Sequence, residues 1–146
     1  MKYIYIILGV IICFSTISCK KEISLISSVK ETVIRGVPSK HPYIQYKLEF
    51  EVLQEDAQIK IQQITFPLLG IQNDELKYDI MDLKSNLIVS EINGKGRYVI
   101  NIIPKSSAQG IVRTKKLDEI EISWLLNNVL KKTKISSFVE KTKRIR

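Results

Sequence analysis

Ile44-Gln45-Tyr46-Lys47-Leu48-Glu49-Phe50-Glu51-Val52 alternates apolar and polar side chains without a break. Successive strand residues project to opposite faces, so this spacing puts Ile44, Tyr46, Leu48, Phe50 and Val52 on one dry face and the polar residues on a wet one. A helix, turning about 100° per residue, would spread the same apolar set around its whole circumference. The stretch is therefore a half-buried strand, and its dry face needs a second layer to cover it.

The same signature recurs on either side. Ala57, Ile59 and Ile61 hold one parity and Ile64 and Phe66 the other, with Gln62-Gln63 between them; a β-bulge there keeps all five on the core face. Residues 23–34 (ISLISSVKETVI), closed by Gly36, Pro38 and Pro42, read as a first strand, whole or broken in two. Leu76, Tyr78 and Ile80 alternate with Lys77 and Asp79, and Asp82 to Asn86 reads as a turn before Leu87 to Ile92. Asn93-Gly94-Lys95-Gly96 reads as a hairpin turn into Tyr98 to Ile103, which is apolar on both parities and so belongs at the centre of a sheet. Pro104 to Gly110 reads as a loop and Ile111 to Lys115 as a short strand.

Asp118 to Asn127 fits two patterns. Leu117, Ile120, Trp124 and Leu125 make a helical face, whereas Ile120, Ile122, Trp124 and Leu126 alternate strictly with Glu119, Glu121, Ser123 and Leu125. Strand is favoured, with Asn127-Asn128 as its turn. Val129 to Arg146 then returns as a last strand fraying into a basic tail, or forms a terminal helix. About seven or eight short strands with regular turn signals predict an all-β, two-sheet antiparallel sandwich with Ig-like or transthyretin-like layering, following an N-terminal signal helix. Only two Ala (Ala57 and Ala108) against many Ile support this over a helical bundle.

The N-terminus carries a different kind of signal. Lys2 supplies a positive charge, and residues 3–14 (YIYIILGVIICF) form an uncharged run of secretory length. Thr16-Ile17-Ser18-Cys19 follows and resembles the lipobox of bacterial lipoproteins, although Thr16 stands where Leu is usual. The resemblance implies a signal peptide at 1–18, cleavage before Cys19, and a diacylglycerol and an N-acyl lipid on that residue. Residues 19–22 are then a short tether, 23–130 the sandwich and 131–146 a basic strand or tail. A retained transmembrane anchor competes with this reading, but sixteen uncharged residues fall short of the roughly 20 that span a bilayer; an ordinary cleaved signal is the third reading. After cleavage before Cys19 neither of the two Cys remains as a free thiol, which suits an oxidising envelope. Lys20-Lys21 lacks the Asp associated with inner-membrane retention, so the expected address is the outer membrane.

The 146 residues bound one domain, with 23 Lys and Arg against 15 Asp and Glu, and the apolar fraction of 45% excludes wholesale disorder. The surplus charge is local: Lys131, Lys132, Lys134, Lys141, Lys143, Arg144 and Arg146 stand against Glu140 alone. In an exported chain such a patch suits anionic lipid, lipopolysaccharide phosphate or an acidic protein face rather than nucleic acid.

Catalytic patterns are weak by comparison. His41 sits in a Pro-flanked loop with no second His. Glu49/Glu51 and Glu119/Glu121 each project from one strand face as possible acid/base couples, but on the polar parity. Asp74, Glu75, Asp79 and Asp82 offer oxygens to Ca²⁺ without the spacing of a Ca²⁺ loop. Trp124 reads as core and Tyr43 as a ring free to stack on sugar. No resident metal or cofactor is expected. The expected function is non-catalytic binding as an accessory subunit of an envelope assembly, such as a secretion machine. An immunity or inhibitor-type lipoprotein is the alternative, and a glycan-active enzyme a more distant one.

Overall fold

The computed structural model describes residues 21–36, 41–114 and 118–145. Ten strands and one helix follow in order: β1 (Ile23–Arg35), β2 (Tyr43–Val52), β3 (Gln58–Thr65), β4 (Leu76–Asp82), β5 (Leu87–Val89), β6 (Ile92–Asn93), β7 (Gly96–Pro104), α1 (Ser106–Thr114), β8 (Ile120–Leu126), β9 (Val129–Ile135) and β10 (Val139–Ile145). They form two facing sheets, β10-β1-β2-β7-β4-β5 and β6-β3-β8-β9. Every pairing is antiparallel except β1 with β10. The fold is thus the expected all-β sandwich, with ten strands where seven or eight were read. The single run expected over Leu87 to Ile92 divides into β5 and β6, three and two residues long, which lie in different sheets. No described helix is long and apolar enough to cross a membrane.

All five apolar residues of the β2 alternation are buried. They share the inner face with Tyr98, Ile100 and Ile102 of β7 and meet Ile59, Ile61, Ile64, Ile120, Ile122, Trp124 and Leu126 of the opposite sheet. Two edge-on aromatic contacts fasten the layers: Phe50 to Trp124 at 5.1 Å and Tyr46 to Phe66 at 5.0 Å between ring centres. The register of β3 against β8 shifts between Ile61 and Gln63, which is the anticipated bulge. Asn127 and Asn128 both adopt positive φ and make the two-residue β8–β9 turn. β1 is continuous, with one irregularity between Leu25 and Ser27.

Three readings are corrected. Asn93 to Gly96 joins β6 to β7, which lie in different sheets, so it is a crossing between layers and not a hairpin. Gly94 sits there at φ 81°, its N–H donating to the Ala57 carbonyl, and an added Cβ would meet the Glu55 carbonyl oxygen at 3.1 Å. Second, of the expected loop at Pro104 to Gly110 and strand at Ile111 to Lys115, Pro104 ends β7 and Ser106–Thr114 forms α1, while Lys115 lies outside the described residues. Its inner side buries Ala108, Gln109 and Val112, the i, i+1, i+4 spacing of a helical face; two small apolar residues were too few to reveal the period. Third, residues 131–145 form neither a frayed tail nor a helix: β9 completes one sheet and β10 the other.

Gln109 holds α1 in place. Its amide oxygen accepts from the Ile44 N–H at 2.8 Å, and its NH₂ donates to the Ile44 carbonyl at 2.9 Å and the Pro104 carbonyl at 2.8 Å. The side chain therefore imitates one rung of a β-ladder against β2. Buried backbone groups left unpaired cost about 1–3 kcal/mol each. Gln109→Leu, which keeps the bulk and removes the bonds, is expected to lower unfolding free energy by about 2–4 kcal/mol in urea titration. A loss below about 0.5 kcal/mol would show that α1 is held by packing alone.

Candidate functional site

The basic patch proposed from sequence divides into two parts. On β9, Lys131 pairs with Glu22 at 3.6 Å, Lys132 with Glu121 at 3.3 Å, and Lys134 with Glu119 at 3.8 Å and Glu121 at 3.9 Å. Lys134 and Glu121 are direct partners in the β8–β9 register, so this half of the patch is neutralised across its own hairpin. On β10, Lys141, Lys143 and Arg144 form no ion pair with any described residue. Cys19 and Arg146 lie outside the described residues.

β10 is exposed at all seven positions and forms the outer edge of the six-stranded sheet. Its parallel register sets Lys141 beside Glu31 and Lys143 beside Val33 on the outer face, and Glu140, Thr142 and Arg144 beside Lys30, Thr32 and Ile34 on the inner one. Burial works to raise the Glu31 carboxyl, but hydrogen bonds from Gln45 and Lys47 and the charges of Lys47 and Lys143 prevail and hold it below its ordinary value. On the inner side, Lys30, Thr32, Ile44, Arg113, Glu140 and Thr142 line a cleft of about 430 Å³.

Beneath this cleft lies a buried polar cluster that the sequence reading missed. Lys30 projects inward because β1 pairs it with Tyr46. Its ammonium reaches Asp118 Oδ2 at 2.6 Å, and the Tyr46 hydroxyl donates to the same oxygen at 3.0 Å. The Lys30 and Asp118 side chains are only 11% and 4% exposed, and Asp118 Oδ1 has no partner among the described residues. Burial, reinforced by the Asp118 charge, pushes the Tyr46 hydroxyl far above its ordinary value. Asp118 lies 88 residues from Lys30 and 72 from Tyr46, so no local spacing signals the cluster.

The remaining sequence candidates are dispersed. His41 is exposed before β2. Glu49 and Glu51 flank Arg97 at 3.7 and 3.9 Å on the outer face of the six-stranded sheet, and Glu119 and Glu121 face the β9 lysines. Asp79 accepts from Asn101 at 2.7 Å, Asp82 caps its own turn through the Lys84 N–H and the Ser85 hydroxyl, and Glu75 accepts from the Gln72 N–H. The Lys84 backbone bond and the Ser85 bonds hold the Asp82 carboxyl below its ordinary value. Among the described residues no three His, Cys, Asp or Glu side chains converge as a metal site. Trp124 is core. The Arg35 guanidinium lies 5.0 Å from the centre of the half-buried Tyr43 ring, at one wall of a cleft of about 620 Å³ that also holds Lys77, Lys105, Ser106 and Ser107. Comparison with known protein families, characterised proteins and solved structures found no match.

Two outcomes follow from these charges. Lys30→Met leaves Asp118 buried without its counter-charge and is expected to cost about 3–5 kcal/mol. Adding Asp118→Asn, which keeps an acceptor for Tyr46 but removes the charge, is expected to restore part of that loss in a urea double-mutant cycle; additive costs would show the two residues to be uncoupled. Glu31, held below its ordinary value, contributes its full stabilisation above the ordinary carboxylate range and loses it as pH falls through the lowered value. Glu31→Gln is therefore expected to flatten the acid limb of the stability profile, read from urea midpoints across pH.

Proposed function

We propose that the protein is an envelope lipoprotein, held on the outer membrane by acyl chains on Cys19, that works by binding as an accessory subunit of an envelope protein assembly. The observation that carries the anchoring is the Thr16-Ile17-Ser18-Cys19 stretch, and its place in the chain supports it. β1 begins at Ile23, so at full extension roughly 14 Å of chain separates the Cys19 attachment point from the sandwich. Two or three acyl chains hold a protein stably on a bilayer where one does not.

Binding rather than chemistry is supported by what the ionisable groups already do. The carboxylate couples read as candidate acid and base, Glu49/Glu51 and Glu119/Glu121, sit on outer sheet faces beside Arg97, Lys132 and Lys134. The cations of β10, by contrast, are left for a partner.

Cys19→Ala is expected to move the protein from the membrane to the soluble fraction and to abolish labelling by radioactive palmitate. Cross-linking in intact cells, followed by mass spectrometry, is expected to recover one defined envelope protein with the wild-type chain. A Cys19→Ala protein that stays with membranes overturns the anchor. A wild-type chain cross-linked to lipid alone overturns the accessory role.

A further inference from the structure

We infer that β10 is a docking edge for an extended acidic segment of a partner protein, which adds to the six-stranded sheet as a further strand. This deepens the binding role proposed above and rests on it only in assuming that the partner is a protein. Four edges bound the two sheets, and β5 and β6 are too short to template a partner. β9 has its lysines neutralised by Glu22, Glu119 and Glu121. β10 is seven residues long, exposed throughout and free of Pro and Gly.

Its backbone is available as well. The Ile145 carbonyl accepts from the Gly36 N–H at 2.8 Å, so Ile145 addresses the β1 side. Backbone direction alternates along a strand, which turns the N–H and C=O groups of Glu140, Thr142 and Arg144 toward the open edge. An unpaired row of this kind accepts an added strand, with main-chain bonds supplying affinity and side chains supplying choice.

The side chains specify the choice. On the outer face β10 presents Val139, Lys141, Lys143 and Ile145 at successive alternate positions, an apolar-basic-basic-apolar series. A strand laid beside it satisfies that series with apolar-acidic-acidic-apolar at its own alternate positions, in either direction, because the pattern is palindromic. Opposite charges directly across a strand pair are stabilising and like charges the reverse. A second copy of β10 laid antiparallel would match Glu140 with Arg144 but set Lys141 against Lys143. The cleft of about 430 Å³ beside Thr142 leaves room for side chains on the inner side. Position argues against a lipid surface: Lys141 and Lys143 register with Glu31 and Val33, roughly 25–35 Å along β1 from the end that Cys19 would tether.

The test uses the full chain in detergent and the peptide Thr-Val-Thr-Glu-Thr-Glu-Thr-Val-Thr, with three controls: a scrambled peptide of equal charge, the same peptide N-methylated at alternate residues on its pairing edge, and phosphatidylglycerol vesicles. The alternating peptide is expected to bind at least about tenfold more tightly than the scrambled or N-methylated one, a difference of about 1.4 kcal/mol. Lys141→Gln with Lys143→Gln is expected to abolish that preference, with only a modest fall in the urea midpoint from losing the Lys143 charge near Glu31. Equal binding of all three peptides, binding to the vesicles but to no peptide, no binding at all, or self-association by light scattering that competes with the peptide each overturns the docking edge. If cross-linking in cells still recovers the same partner from the doubly substituted chain, the accessory role stands and β10 is not its site.

Discussion

The apolar face of β2 must be covered from both halves of the chain, and Tyr46 is where that covering meets a buried charge. Its ring lies edge-on to Phe66 at 5.0 Å and to Phe138 at 5.4 Å, so one side chain gathers the segment after β3 and the link between β9 and β10. Its hydroxyl and the Lys30 ammonium share one oxygen of Asp118, just ahead of β8. A buried carboxylate is tolerable only with a counter-charge and hydrogen bonds close by. Closing the sandwich on this side therefore requires β1, β2 and the approach to β8 to be in register together. That requirement adds directional bonds to the apolar packing between the two layers.

The coupling explains how β10 comes to lie where it does. Phe138 has to reach Tyr46, and the chain that carries it leaves β9 in one sheet and must enter the other within Ser136 to Phe138. Arriving from that side, it runs alongside β1 in the one parallel pairing of the described strands. The two edges on this flank are consequently unlike. β9 folds back on β8, where Glu119 and Glu121 are at hand to neutralise it, while the cations of β10 have beside them Glu31, already engaged by Gln45 and Lys47, and Glu140 of their own strand. Charge that the sequence shows as one block is sorted by topology into a paired half and an unpaired half.

How much could be read in advance follows from which strands have one wet and one dry face. β2, β3 and β8 do, and their alternation revealed them, down to the bulge at Gln62-Gln63. β9 carries Lys on both parities and β10 carries Lys on one and Arg144 on the other, because an edge strand is wet on both sides, so the period-two signal vanishes while the strand remains. α1 was hidden for another reason: it is held by the amide of Gln109 on the Ile44 backbone, a polar contact spanning 65 residues, and not by a long apolar stripe. Gly94 was legible as a turn but not as a change of sheet, since positive φ serves either purpose. The basic cluster could be found by counting. Its division, and the Lys30–Asp118–Tyr46 group, depended on contacts between distant segments.

An exposed edge strand is ordinarily a hazard, and lysines on it are a common defence against indiscriminate pairing. On β10 the same lysines need not be defensive only. A repulsive element rejects most strands by leaving its charge uncompensated, and a partner that supplies the missing charge escapes that penalty. The selectivity is then a difference between two states of one edge rather than a deep pocket, which suits a flat strand with shallow relief. Arg144, on the opposite face from Lys141 and Lys143, extends the condition to both sides of an incoming strand, while Glu140 relaxes it at one end. Direction and register are thereby constrained at the inner face even though the outer series reads the same both ways. The edge discriminates by charge on two faces, with the backbone supplying the attachment.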